Sequence, residues 1–311
     1  MHPQASASLC QGPVVDSHTI QRKGPLEKII GKNNHVSRLE FSPTAQIFEV
    51  EELGWKKAST FPGYCGKHDA LIFSHLERVP FSGSHEQCVL QAYRNTCNEL
   101  YKKRALIESL EFQRDRIDRG CDIDEQINRQ LSVSQNITGQ KRSAQEIELL
   151  WRKFEDAVTE KKYDRFSSKC YFFEGELCVA STGTPHTEFD FKGTRYSNMW
   201  DLREDAEMLS HSIMATENGG AIVFTWLTDE RAPGSIVSSF DDIADADKGD
   251  IFAQYCFLNS ENTYFSRKWW DGLQPSQRDQ LKRYAAAFYY EGGAFVPNDI
   301  RLLDWKFRNR T

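Results

Sequence analysis

The chain has 311 residues, 39% of them hydrophobic and 12% aromatic, including 20 Phe and 7 Trp. That composition excludes a disordered polymer and leaves room for two or three packed units. The net charge of −6 is uneven: Lys plus Arg against Asp plus Glu count 9 against 8 over residues 1–83, 15 against 15 over 84–165, and 15 against 22 over 166–311. The C-terminal half is therefore a poor track for a phosphate backbone, and no apolar run approaches the ~18 residues a membrane span requires.

Residues 1–83 are rich in Gly, Pro, Ser and His, with short apolar runs, and read as a small N-terminal module. The first fifteen residues lack a basic flank followed by a long apolar stretch, so the expected location is the cytoplasm. "PVVDSHTI", "RLEFSP" and "AQIFEVEELGW" read as strands, and "GPLEKIIGKNN" as one or two helical turns opened by Pro25. Elements this small bury little apolar area, a setting in which a bound metal contributes directly to folding. The eight cysteines are dispersed over the whole chain and read as thiols or metal ligands rather than a disulfide framework.

The stretch "FPGYCGKHDA" carries Cys65 and His68 in a C-x2-H spacing, with Gly63 and Gly66 beside them. Such a turn delivers two ligands to a zinc ion, and structural zinc takes four, commonly two from each of two turns. Cys10 and His18, flanking "QGPVVDS", are the candidates for the second pair. A structural Zn2+ on Cys10, His18, Cys65 and His68 is the expectation. The alternative is a buried thiol and a hydrogen-bonded imidazole in a tight turn.

His18 has a rival role. The order His18, then Asn34 or Asn33, then His68, with "VDSHTI" as a strand and "CGKHDALIF" as a knuckle running into a helix, resembles HNH-type nuclease modules over residues 8–75. The resemblance implies a ββα fold, with His18 as general base on water and Asn34 or Asn33 holding its ring. His68, with Asp16, would bind a catalytic Mg2+ or Mn2+ that stabilises the leaving oxygen. It also implies DNA or RNA as partner through this module, which carries Arg22, Lys23, Lys28, Lys32 and Arg38 close together. His18 cannot be both a purely structural ligand and the base, so the two assignments compete. His35 is a second candidate base or ligand, its alternative an exposed turn histidine; His75 reads as a helix histidine, and His85 as a local contact at a helix start.

Residues 84–165 switch to helical spacing. Ser84 with Gln87 forms a capping box ahead of Tyr93, Cys97, Leu100, Ile107 and Leu110. Gly120 and nearby acids break the pattern, and Ser143 with Glu146 is the expected start of a second helix carrying Ile147, Leu150, Trp151, Phe154 and Val158. Alternating charges on the outer sides suit a solvated helical hairpin, a structural arm through which a protein partner or a second copy would bind.

Residues 166–311 turn to β-like runs, "CYFFEGELCVAS", "HTEFDF", "GAIVFTWLT" and "IFAQYCFL", with helical stretches over "MWDLREDAEMLSHSIM" and "SQRDQLKRYAAAFYY". The expected domain is α+β, on an antiparallel or mixed sheet. Within it Asp190 and Lys192 form the D-x-K half of a restriction-type nuclease core, with Glu174 or Glu176 upstream as the separate acid. "ENTYFSRKWWDGL" clusters aromatics around Arg267 and Lys268, a pattern that packs a helix onto a sheet more often than it stacks a base. No phosphate loop or nucleophile elbow is present. Residues beyond the N-terminal module resemble only bacterial proteins of uncharacterised type. The whole reads as an HNH-like nuclease of bacterial phage defence, or as a non-enzymatic, zinc-stabilised binding or regulatory protein.

Overall fold

The computed structural model describes residues 12–198, 201, 203–290 and 298–310. In chain order, β1 (Val14–His18) leads through an irregular helical turn and α1 (Glu27–Ile29) to β2 (His35–Ser42), β3 (Ile47–Gly54) and β4 (Thr60–Cys65). Two short helices follow, α2 (Gly66–Ile72) and α3 (Ser74–Glu77), then the long α4 (His85–Arg114) and α5 (Ile123–Glu160). The remainder comprises β5 (Phe166–Glu174), β6 (Val179–Gly183), β7 (Ser210–Ala215), β8 (Gly219–Leu227), α6 (Arg231–Asp241), α7 (Asp245–Asn259), β9 (Thr263–Phe265), α8 (Arg267–Gly272), α9 (Pro275–Tyr290) and β10 (Lys306–Arg310). None of the described helices is long and apolar enough to cross a membrane.

Eight strands form one antiparallel sheet in the order β10-β5-β8-β7-β6-β9-β2-β3, while β1 and β4 make a separate two-stranded ladder. The α+β class with an antiparallel sheet is as expected, but the boundary drawn at residue 83 is crossed: β2 pairs with β9 through Ser37 and Phe265, so the β2–β3 hairpin extends the sheet of the C-terminal region. Ile20, Leu26, Ile29, Val36 and Ala58 are buried in the same apolar cluster as Tyr171, Phe224 and Phe252. These N-terminal residues are buried against the sheet and helices of the C-terminal region.

Period-two alternation along the central strands feeds both faces. Tyr171, Ile213, Ile222 and Phe224 join helices α6, α7 and α9 on one side. Their strand neighbours Cys170, Met214 and Val223 join α4, α5, β4 and α2 on the other. The result is three layers, with the β1–β4 ladder and α2 lodged against α4.

Helix starts follow local chemistry. Ser84 Oγ accepts from Gln87 N at the head of α4, and Asp122 does the same for Glu125 N at the head of α5. The second helix therefore starts twenty residues before the expected capping pair; Ser143 and Glu146 lie inside it. Three segments differ from the sequence expectation. "IFAQYCFL" belongs to α7, whose residues Lys248–Leu258 are all buried, so no polar face marks a helical period. "HTEFDF" makes only isolated bridges at His186 and Phe189. The expected helix over 199–214 is instead a loop ending in β7, with 199, 200 and 202 outside the described residues.

Candidate functional site

β4 runs directly into α2, and Cys65 is the residue at that junction, buried and preceding the first helical turn. His68 lies one turn on, and its Nδ1 is 3.2 Å from Cys65 Sγ. The C-x2-H spacing thus brings the two donors together. Zn–S of ~2.3 Å and Zn–N of ~2.0 Å at a tetrahedral angle would set such a pair about 3.5 Å apart, so a small opening fits an ion.

The second half of the expected zinc set does not assemble as read. Cys10 lies outside the described residues. In the β1–β4 register Val14 stands opposite Cys65 whereas His18 stands opposite Thr60. Four residues of strand separate the two levels by about 13 Å, beyond the joint reach of an imidazole and a thiol toward one ion. His18 is therefore not a co-ligand with Cys65. Among the described residues no three His, Cys, Asp or Glu side chains converge as a metal site.

His18 instead meets a different set of groups. Its Nε2 is buried without a hydrogen-bond partner. Burial pushes its pKa below the usual histidine value, Arg22 and Arg94 add to the effect, and a hydrogen bond to the Lys56 backbone with the Glu77 carboxylate opposes it. The lowered pKa favours the neutral ring, and its Nε2 makes no hydrogen bond.

Asn34 does not hold that ring. Asn33 and Asn34 both adopt left-handed backbone, at φ of 61° and 59°, in the exposed turn before β2. Asn34 contributes its carbonyl to Trp55 N, at 3.0 Å, and Asn33 its carbonyl to His35 Nδ1, at 2.8 Å. The two asparagines are there because short polar side chains tolerate this conformation. Asp16 is exposed at the bulge in β1.

The group the sequence reading missed is Arg94. Its side chain has no exposed surface, on a stretch of α4 buried continuously from Gln87 to Asn98. Its guanidinium carbon lies 3.9 Å from the centroid of the Phe73 ring. Nη2 donates to Glu77 Oε1 at 2.8 Å and lies 3.7 Å from Asp69 Oδ1. Nε, Nη1 and Asp69 Oδ1 have no hydrogen-bond partner. The only warning in the sequence was an arginine one position after a core tyrosine, which a surface helix would also show. Beside it, Gln91 Nε2 donates to the Thr19 carbonyl at 3.0 Å and to Asn95 Oδ1 at 2.8 Å. Asn95 Nδ2 in turn reaches Ser210 Oγ and Ser212 Oγ on β7.

The other candidates resolve into structure. Asp190 Oδ1 accepts from the backbone N of Lys192 and of Thr194, each at 2.8 Å, closing a turn. Lys192 pairs with Asp242, Glu174 with Arg308 and Glu176 with Lys268, so no D-x-K core forms. Arg267 pairs with Asp271, and Trp270 is buried in a stacked contact with Phe265. His75 faces Glu86, and His85 Nε2 meets the Tyr163 carbonyl, tying the start of α4 to the chain after α5.

No family model, curated protein or solved structure matches this chain.

Proposed function

We propose that the chain is a nucleic-acid hydrolase of HNH-like kind, with His18 as the general base. One observation carries the reading. His18 closes the first strand of an antiparallel pair whose second strand runs straight into the helix bearing His68, a β–β–helix order, and it keeps Nε2 free. A neutral imidazole can take, at its unprotonated nitrogen, the proton of a water attacking phosphorus; the new O–P bond forms as the bond to the leaving oxygen breaks. Cys65 and His68, with Cys10, would hold a Zn2+ that keeps the β4–α2 turn in place. A Mg2+ or Mn2+ ion, when bound, would stabilise the leaving oxygen. DNA or RNA would be the partner.

A second reading is favoured by a specific feature: neither His18 Nε2 nor the Arg94 side chain has a surface open to solvent. A zinc-stabilised binding or regulatory protein requires no such access. Purified protein incubated with Mg2+ or Mn2+ on plasmid and on RNA, beside His18→Ala, decides between them. Cleavage by the native chain that is lost in His18→Ala, with zinc retained, supports the hydrolase. No cleavage by either, together with zinc lost on Cys65→Ser, refutes it in favour of the binding protein.

A further inference from the structure

We infer that Arg94 is the receptor for an oxyanion, the phosphoryl group of a phosphodiester, which enters by displacing Glu77. The phosphodiester identity rests on the hydrolase reading; the anion site rests on Arg94 alone. A guanidinium has five N–H donors, and here both carboxylates fall on Nη2, leaving the donors of Nε and Nη1 inside a side chain with 0% exposure. Leaving charged donors buried and unbonded is costly, so such a group calls for a partner rich in acceptor lone pairs. A tetrahedral oxyanion supplies them and matches the charge.

The two carboxylates are unequal. Asp69, on α2, sits at 3.7 Å and is 18% exposed, whereas Glu77, the last residue of α3, makes the 2.8 Å contact and is 43% exposed. Glu77 is the partner that can turn to solvent, and its departure frees a donor of Nη2 beside the unbonded Nη1, the pair of nitrogens that a bidentate oxyanion takes. The Phe73 ring under the guanidinium and Asp69 beside it keep the head group in place when Glu77 leaves. The charge of Arg94 acts on the His18 ring, and Gln91, one turn before it on α4, bonds the carbonyl of Thr19 next to His18.

The probe is inorganic phosphate, added at constant ionic strength to the full chain and followed by calorimetric titration and thermal stability, with chloride as control. The native chain should bind one equivalent and melt higher. Glu77→Gln, which removes the competing charge from an exposed position, should bind phosphate roughly tenfold tighter, the effect of losing one charged hydrogen bond. Arg94→Lys should lose the binding while His18→Ala keeps it. No phosphate binding by the native chain and Glu77→Gln alike overturns the inference, as does equal affinity in Arg94→Lys. If Arg94→Lys does not fold, Glu77→Gln decides alone: unchanged affinity overturns the site. Phosphate bound as expected with no nucleic acid cleaved leaves the anion site standing and removes the hydrolase. Cleavage dependent on His18, with phosphate binding indifferent to Glu77 and Arg94, does the reverse.

Discussion

His211 offers the sharpest test of the packing. It lies on β7, fully buried, with its ring against Tyr255 at 5.4 Å and Phe252 at 6.0 Å between centroids. Neither ring nitrogen has a hydrogen-bond partner, and burial alone drives its pKa down to about 3. In the unfolded chain the ring titrates near ~6.5, so the proton favours unfolding. Its contribution is fully present above that pH and is lost as the pH falls toward 3. A gap of about 3.5 pH units at 1.36 kcal/mol each amounts to about 5 kcal/mol over the whole window, of which about 2 kcal/mol is lost by pH 5. His211→Leu keeps a buried apolar side chain of similar size and removes the titration. Urea unfolding at about pH 7.5 and about pH 5 should show the native chain losing about 2 kcal/mol more than the variant between the two conditions. Any fixed packing penalty cancels in that difference, as do titrations common to both proteins. Equal losses in the two proteins would refute the account of a histidine buried neutral.

Glu230 behaves with the opposite sign. Burial raises its pKa to about 7, and its Oε2 accepts from Met208 N, so the folded chain holds the proton and stability declines as the pH rises from about 4.5 through 7. Glu230→Gln should therefore raise the melting temperature at pH 8 and leave it nearly unchanged at pH 4; equal shifts at both would contradict this. Gly183 and Gly139 should part company on substitution by alanine. A Cβ at Gly183 would stand 2.9 Å from His211 Cε1 and 3.2 Å from Ser260 Oγ, costing roughly 1–3 kcal/mol in urea unfolding. At Gly139, inside α5 with nothing within 4 Å, it should stabilise by about 0.5–1 kcal/mol; the same sign at both sites would overturn the packing described. Thiol labelling of the native chain, mapped by mass spectrometry, should modify Cys121 and Cys178 well before the buried Cys65, Cys88, Cys97, Cys170 and Cys256. Early labelling of Cys88 or Cys170, whose sulfurs are 3.5 Å apart in the core, would show that the β5–α4 contact opens.

Some of the local geometry was legible in advance. The C-x2-H turn does bring Cys65 to His68, because three residues on, at the start of a helix, point back to the capping position. His18 does end a strand. The expected partnership of His18 with Cys65 failed on register: His18 was read on a strand but Cys65 in a turn, and nothing local states that residues 60–65 form a strand in which Val14, rather than His18, stands opposite Cys65. Asn34 failed for a related reason, since an asparagine that suits a left-handed turn and one that orients a histidine look alike in sequence.

Sequence alone determined what nearest neighbours control: the α+β class, the capped start of α4, the apolar β-run of β8, and the C-x2-H turn at the head of α2. These follow from periodicity and from hydrogen bonds that close within a few residues. Tertiary structure decided the rest. It carried β2 across the chain to β9, made a helix of the uniformly apolar "IFAQYCFL", and enclosed Arg94 against Phe73 with His18 nearby. Each of those outcomes depends on surface buried between segments far apart in sequence, and burial is a property of the assembled core that no local pattern of residues encodes.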